Sequence, residues 1–308
     1  MILNTGMRTD IPAFFSDWFF KRIKEGYVYV RNPYFPNKVT KYLLNPNVID
    51  CLVFTTKNPK PMLSRLNELK SFGQYWFVTI TPYGKEIESN VPDKKEIIES
   101  FKELSKAIGK EKVGWRYDPI FISEKYSLSY HIETFEKMAS ELSGYTAECV
   151  ISFIDLYEKT KRNFPQVQEV SEEERDIIGK EFSRIGKKYG MVIRTCVEGT
   201  SLSKYGVDCS GCMTKPVIEK AINKSLKVPK KKATRDGCDC LLGNDIGVYN
   251  TCNHGCVYCY ANYNKKSVLD NIRKHNPNSP FLIGKSMKED IVVEAKQESY
   301  IVEELKLF

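Results

Sequence analysis

The chain has 308 residues, of which 42% are hydrophobic and 28% are charged, and this composition excludes a predominantly disordered protein. Its net charge of +8 is dispersed along the sequence and is too small to identify a polyanionic partner by itself. The apolar runs are far shorter than the roughly 20 residues of a membrane-spanning helix and no secretory signal is visible, so we expect a cytoplasmic protein without a membrane partner.

Short apolar runs alternate with segments of helical periodicity over the first 200 residues. The runs are rich in β-branched or aromatic side chains, which is typical of strands buried on both faces of a parallel sheet. Pro12 and Pro59 suit the first turn of a helix, and Ser171 with Glu174 has the spacing of a capping box. The predicted strands are residues 2–5, 51–55, 76–80, 113–117, 149–154 and 191–195.

Six strand–helix units fall short of the eight that close a complete barrel of this kind. Right-handed crossovers between parallel strands place the helices outside, so residues 1–200 are predicted to form an α/β fold, an open, partial (β/α)6 barrel. Residues 26–47 interrupt the alternation and are expected to add a hairpin at its edge. Residues 201–308 lose the alternation, which predicts an irregular, cysteine-rich extension that closes the mouth of the barrel and folds around metals.

The ten cysteines are unevenly distributed. Cys51 and Cys149 stand alone inside predicted strands and are expected to be ordinary buried thiols. The other eight follow residue 195, and in a long chain without a secretory signal such closely spaced thiols are ordinarily metal ligands. These eight are Cys196, Cys209, Cys212, Cys238, Cys240, Cys252, Cys256 and Cys259.

Cys252, Cys256 and Cys259 place three thiols in eight residues. A loop of this kind can bind three irons of a cubane and leave the fourth iron open, and an open position is where a chelating substrate binds a catalytic metal. A zinc knuckle with His254 or another cysteine as fourth ligand is the alternative. Zinc sites usually show two separated pairs of ligands, so an iron–sulfur cluster is favoured and His254 is expected to be a structural turn residue.

The run over residues 252–261, with Tyr258 just before the last cysteine, resembles the signature of radical S-adenosylmethionine (SAM) enzymes, and especially that of the spore photoproduct lyase branch. The resemblance implies a 4Fe-4S cluster whose open iron chelates the amino and carboxylate groups of SAM. It also implies reductive cleavage of SAM to a 5′-deoxyadenosyl radical, which abstracts hydrogen from an unidentified substrate, either a small molecule, a peptide or a nucleic acid. An electron donor such as flavodoxin or ferredoxin and anaerobic conditions would be needed.

Most of the chain is similar to a bacterial family labelled domain of unknown function 1848, through residues 7–14, 54–59, 115–119 and 245–250 and the cysteine run.

The position of the cysteine loop departs from the radical SAM pattern. Radical SAM enzymes usually carry this loop after the first barrel strand, whereas here it follows the sixth. We expect the extension to fold back over the strand ends, where the active sites of such barrels lie. A different fold is the alternative.

Five further thiols suffice for a second metal site. Thiolates hold iron–sulfur clusters as readily as zinc, and a second 4Fe-4S cluster is favoured over zinc. The preferred ligands are Cys196, Cys212, Cys238 and Cys240, which would tie the sixth strand to the extension, and Cys209 is the substitute.

Polar residues at the ends of buried strands are candidates for binding the cofactor. Arginine and lysine would suit a carboxylate, aspartate and asparagine would suit ribose hydroxyls, and a tyrosine can relay an electron. The alternative is that Arg8–Asp10 and Arg116–Asp118 are salt bridges that hold loops. The candidates are Arg8, Asp10, Lys57, Asn58, Arg116, Asp118, Asp155 and Tyr258, with Glu198 after the sixth strand.

Two functions from different classes fit these patterns. The first is a radical SAM enzyme of unidentified reaction. The second is a non-catalytic zinc or iron–sulfur protein with a nucleic-acid-binding or regulatory role, although no DNA-reading motif is visible.

Overall fold

The computed structural model describes residues 1–229, 238, 240, 241 and 244–302. Its helices include the predicted one that begins after Ser171, where the Ser171 hydroxyl accepts from the Glu174 amide and the Glu174 carboxylate accepts from the Ser171 amide. The strands are β1 (Ile2–Asn4), β2 (Tyr27–Arg31), β3 (Lys38–Leu43), β4 (Cys51–Thr56), β5 (Gln74–Thr79), β6 (Val113–Ile120), β7 (Glu148–Phe153), β8 (Val192–Thr195) and β9 (Ile291–Glu294). The α-helices are α1 (Ile11–Phe14), α2 (Ser16–Glu25), α3 (Lys60–Leu63), α4 (Lys94–Ile108), α5 (Leu128–Leu142), α6 (Glu158–Asn163), α7 (Glu172–Lys188), α8 (Lys215–Ile222) and α9 (Lys265–Ile272).

Among the described residues, no helix combines the length and apolar character needed to cross a membrane.

The main sheet has six parallel strands in the order β1-β4-β5-β6-β7-β8, which is also their order along the chain. Each of the six predicted apolar runs overlaps one of these strands, with ends that differ by no more than three residues. The prediction of an α/β fold built on a parallel sheet is therefore confirmed.

The predicted hairpin forms from β2 and β3 but does not join the main sheet. β3 pairs in parallel with β9, which makes a separate three-stranded sheet. Both edges of the main sheet are bordered instead by the segment after residue 200, since Asn4 of β1 bridges Asp245 and Arg194 of β8 bridges Asp208, both in parallel. The edge position predicted for the hairpin is thus wrong, because the extension lies along both edges.

The two faces of the main sheet pack against different parts of the chain. Alternate strand residues such as Trp76 and Trp115 belong to the core that includes the helices between the strands. On the other face, Phe77 and Val150 pack in one cluster with Met213 and with Ile218 of α8. The segment after residue 200 is therefore less irregular than predicted, because it includes α8, which packs against this face of the sheet.

Candidate metal and cofactor site

A cavity of about 690 Å³ lies at the carboxyl ends of the main-sheet strands. The strands contribute Asn4, Thr55, Phe77 and Arg116 to its wall. The segment over residues 252–261 contributes to the same wall. Ligands bind at this end of parallel α/β sheets because the loops that follow the strands converge there.

The cysteine loop reaches the cavity by following the edge of β1. Asn4 donates its amide to the Asn244 carbonyl at 2.6 Å and accepts from the Ile246 amide at 3.1 Å. Because this pairing is parallel, the chain leaves β1 at the same end as the loop after β1 itself. The amide of Val257 then donates to the Ile87 carbonyl at 3.0 Å, which fixes the loop to the segment after β5. The loop therefore lies at the carboxyl ends of the strands.

Cys252, Cys256 and Cys259 all line the cavity and are reduced. Burial raises the pKa of the Cys252 thiol well above its ordinary value, and the neighbouring sulfurs of Cys259 and Cys256 add to the effect. Burial likewise raises the pKa of Cys256 to about 12, while the charge of Lys57 acts in the opposite direction. Three thiols of this kind become thiolates most readily when a metal supplies positive charge.

Glu88 is a buried carboxylate beneath this loop that the sequence analysis missed. It accepts hydrogen bonds from Lys57 at 2.7 Å and from Lys94 and the hydroxyl of Tyr258. Burial opposes its ionisation, but the charges of Lys57 and Lys94 outweigh burial and hold the pKa of Glu88 far below its usual range. No local pattern marks Glu88 in the sequence, because its partners Lys57 and Tyr258 are 31 and 170 residues away.

Asp10 joins three segments at the same end of the sheet. One carboxylate oxygen accepts from the Ala13 amide at 3.0 Å and caps α1. The other accepts from the Lys57 amide at 2.8 Å and lies 2.7 Å from Nε2 of His254. His254 thus has the structural contact expected of a turn residue, and both Asp10 and His254 line the cavity.

Arg116 and Asp118 form a salt bridge, which was the alternative prediction for these two strand-end residues. The Arg116 Nε donates to Asp118 at 3.0 Å, and the hydroxyl of Ser152 donates to the same carboxylate. The guanidinium also lies 3.6 Å from the sulfur of Cys212. Arg116 and Asp118 both line the cavity, so the pair is available to a ligand there.

The remaining candidates divide between the wall and its surroundings. Arg8 pairs with Asp245 at 2.6 Å, so the predicted Arg8–Asp10 bridge is wrong, because the edge segment brings a second carboxylate closer. Neither Arg8 nor Asn58, which caps the turn at Lys60 through a 3.2 Å bond, belongs to the cavity wall. The wall does include Lys57, Tyr258 and Asp155, whose carboxylate accepts from Tyr157.

Glu198 lies after β8, outside the cavity wall. Its carboxylate accepts from the Phe153 amide at 2.8 Å and from Arg175 at 3.1 Å. Burial raises the pKa of Glu198 to about 7. This residue therefore holds the loop after β8 against β7.

Three of the other cysteines converge. The sulfur of Cys212 lies 3.6 Å from that of Cys196 and 3.4 Å from that of Cys240. Cys209 instead contacts the Val207 carbonyl at 3.7 Å, and Cys238 is buried. Cys51 and Cys149 are fully buried in strands, as predicted. Within the described part of the chain, no three His, Cys, Asp or Glu side chains are placed to hold a single metal ion as they stand.

A comparison with protein families assigns the chain to one of them. The sequence profile of the family described as domain of unknown function DUF1848 matches residues 2–261. The chain belongs to this family. A comparison with curated proteins gives no match. The matched span of this DUF1848 protein covers the main sheet, the cavity and both groups of cysteines, and it ends directly after the cysteine loop.

The cavity of the DUF1848 chain also holds polar atoms with unmet hydrogen-bonding capacity. Nδ2 of Asn4, Oγ1 of Thr9 and Nδ1 of His254 are buried and have no hydrogen-bond partner among the described residues. All three residues line the cavity. Buried polar groups are nearly always paired, so these three atoms are exceptions next to the cavity.

Proposed function

We propose that this DUF1848 protein is a radical SAM enzyme that binds a 4Fe-4S cluster through Cys252, Cys256 and Cys259. The observation that carries the proposal is the convergence of these three free, partly buried thiols on one large cavity at the strand ends. Their number matches a cluster with one iron left open for a chelating cosubstrate. The substrate and the product stay unassigned.

The residues around the loop fit such a cluster. The amides of Ala261 and Asn262 donate to the Cys259 sulfur and act against the rise in its pKa that burial causes. Hydrogen bonds to sulfur and the polarity of the surroundings are the means by which proteins tune iron–sulfur centres. Lys57, whose charge also favours the thiolates of Cys256 and Cys259, adds to this positive environment.

The cavity also fits the cosubstrate. The polar residues Asn4, Thr9 and His254 line the cavity and would bind polar groups of SAM next to the cluster. Phe77 and Met213 supply an apolar wall that excludes water. When bound and reduced, the cluster with SAM would supply a radical able to abstract a hydrogen atom. The protein's own residues would bind and orient the reactants and exclude competing reactions.

The proposal includes a finer description of the fold. We take the main sheet as an open, partial (β/α)6 barrel, because its strands follow chain order and the cavity lies at their carboxyl ends. The candidates at its mouth are Lys57, Arg116, Asp118, Asp155 and Tyr258, with Asp10 as a residue that positions the loop. An oxygen-sensitive cluster and reduced thiols suit the cytoplasm, where a flavodoxin or ferredoxin would donate the electron.

The decisive experiment measures cleavage of SAM. Protein purified and reconstituted without oxygen is given SAM and dithionite, and 5′-deoxyadenosine is quantified by mass spectrometry. We expect release of 5′-deoxyadenosine from the wild type and none from Cys256→Ala. Cys149→Ala, which removes a buried thiol outside the cavity, is the matched control and should keep the activity. A sample with a full complement of iron that releases no 5′-deoxyadenosine would refute the proposal.

A further inference from the structure

A second group of thiols shares the cavity with the cysteine loop. Cys196 and Cys212 line the same wall, and Cys240 lies in contact with Cys212. We infer that Cys196, Cys212 and Cys240 form a second thiolate-bound metal centre, separate from the one proposed at the loop. This inference does not depend on radical chemistry.

The three thiols come from separate segments that the fold brings together. Cys196 directly follows β8. Cys212 comes after the segment that borders β8, where the Asp208 amide donates to the Ile193 carbonyl at 2.8 Å. Cys240 is held by the neighbouring Leu241 amide, which donates to the Met213 carbonyl at 2.8 Å. A metal here would crosslink the end of the main sheet to the extension.

The sulfur distances are those of thiols in contact with one another and not bonded. At 3.6 and 3.4 Å the pairs are far from the roughly 2.05 Å of a disulfide. They are close to the separation of about 3.8 Å that thiolates adopt around a tetrahedral zinc with bonds of about 2.3 Å. No three described side chains enclose one position as they stand. Binding of a single metal ion would therefore move Cys196 and Cys240 toward the ion beside Cys212. In an iron–sulfur cluster, each thiolate would instead bind a different iron.

Two contacts near these sulfurs would stabilise thiolates bound to a metal. The guanidinium of Arg116 lies 3.6 Å from the Cys212 sulfur, and the Met213 amide donates to the Cys240 sulfur at 3.2 Å. Positive charge and N–H donors directed at sulfur are features of metal-binding and redox cysteines. Cys209, with its sulfur turned to a backbone carbonyl, has neither contact in the structure.

The test measures the metal bound by a variant that lacks the three cysteines of the loop. The triple variant Cys252→Ala/Cys256→Ala/Cys259→Ala is reconstituted without oxygen, once with iron and sulfide and once with zinc. Bound iron, acid-labile sulfide and zinc are then measured per chain. We expect the triple variant to retain either about four irons with sulfide or about one zinc, and either result supports the site.

Adding Cys212→Ala should remove this residual metal, whereas Cys209→Ala in the same background should leave it. Cys212→Ala alone, in the otherwise wild-type chain, should lose only part of the total metal, which keeps the test valid if the multiple variants fold poorly. A folded triple variant without metal, or metal that persists after Cys212→Ala, would overturn the inference. Failure of SAM cleavage would leave these metal counts unchanged, so the two proposals fail separately.

Discussion

At the scale of single residues, Glu88 stands out as a buried carboxylate with two charged partners near the cavity. Its side chain is 1% exposed and binds Lys57, Lys94, Thr81 and Tyr258. Two lysines beside one buried carboxylate are stable only while that carboxylate is charged. Glu88 therefore fixes the segment after β5 under the cysteine loop.

We predict that Glu88→Gln lowers the free energy of unfolding by about 3–5 kcal/mol, because removal of one partner leaves buried charge uncompensated. Urea denaturation followed by tryptophan fluorescence measures the change. Glu86→Gln is the control, since Glu86 lies in the same segment but is half exposed and paired with the exposed Lys125. Its effect should stay within about 1 kcal/mol. Equal losses in the two variants would show that Glu88 has no special role.

His131 makes stability depend on pH. It is fully buried, its Nδ1 lies 2.8 Å from the Tyr117 hydroxyl and its Nε2 lies 2.9 Å from the Phe121 carbonyl. Because the carbonyl can only accept, Nε2 carries the proton and Nδ1 accepts from Tyr117. Burial lowers the pKa of His131 to about 4, although the bond to Phe121 acts in the opposite direction.

The unfolded chain, with an imidazole pKa of about 6.5, takes up the proton first as the pH falls. The stability contributed by neutral His131 is complete above about pH 6.5 and is lost on the way down to about pH 4. We predict that wild type loses about 2 kcal/mol more stability than His131→Gln between about pH 7.5 and pH 5. The measurement is urea denaturation at both pH values. Parallel losses in the two proteins would contradict the assignment.

Residue pairs close in sequence were predictable, and pairs distant in sequence were not. Arg116 and Asp118 are two positions apart on one strand, so they share a face and the predicted bridge is confirmed. Arg8 binds Asp245, which is 237 residues away. A sequence without aligned homologues gives no sign of such a contact.

At the scale of elements, the loop after β1 lies unusually close to β4. A Cβ on Gly6 would lie 2.4 Å from the Thr55 carbonyl oxygen and 2.8 Å from the Thr55 nitrogen. These are backbone atoms of a central strand and cannot move aside. Only glycine therefore allows the loop that lines the cavity to approach β4 so closely.

We predict that Gly6→Ala costs about 1–3 kcal/mol in the free energy of unfolding, the range for overpacked cores. Gly84→Ala is the control, because its Cβ would meet only the flexible carboxylate end of Glu86, at 2.5 Å. That side chain can rotate away, so the control should lose no more than about 0.5 kcal/mol. Thermal and urea denaturation of both variants measure the difference. A Gly6→Ala protein as stable as the control would mean that β1 and β4 can separate.

Elements were predictable where their own residues carry the signal. The hairpin of β2 and β3 and the capping box at Ser171 follow from local patterns and are present. The partner of the hairpin was not predictable, because β9 begins at Ile291, far along the chain. The run Ile291-Val292-Val293 has the residue types of a strand, but all four residues of β9 are exposed, so no pattern of burial links it to the hairpin.

At the scale of the whole molecule, the segment after residue 200 belongs to the same core as the sheet. Ile218 of α8 is fully buried against one face of the main sheet. We predict that Ile218→Ala lowers the free energy of unfolding by about 2–5 kcal/mol and leaves a single transition. Leu269→Ala, at a site 39% exposed on α9, should cost far less. Circular dichroism and fluorescence during urea denaturation should report the same midpoint. Two separate transitions would instead favour independent domains divided near residue 200.

The six strands and their parallel order were predictable, because each strand contains a short apolar run. The segment that covers the second face of the sheet was not predictable, because the periodicity of residues 201–229 does not reveal where that segment packs. The same limit applies to the site. Spacing singled out Cys252, Cys256 and Cys259, whereas the contact of Cys212 with Cys196 and Cys240 depends on the fold.

The position of α8 has a consequence for synthesis of the protein. Ribosomes release the chain from its amino end, so all six main strands emerge before residues 215–222 do. Until then Phe77 and Val150 lack their apolar cover, and a nascent chain of about 200 residues exposes a surface that invites aggregation. Chaperone dependence during translation should therefore concentrate in that interval, and a stop codon placed there should yield an insoluble product.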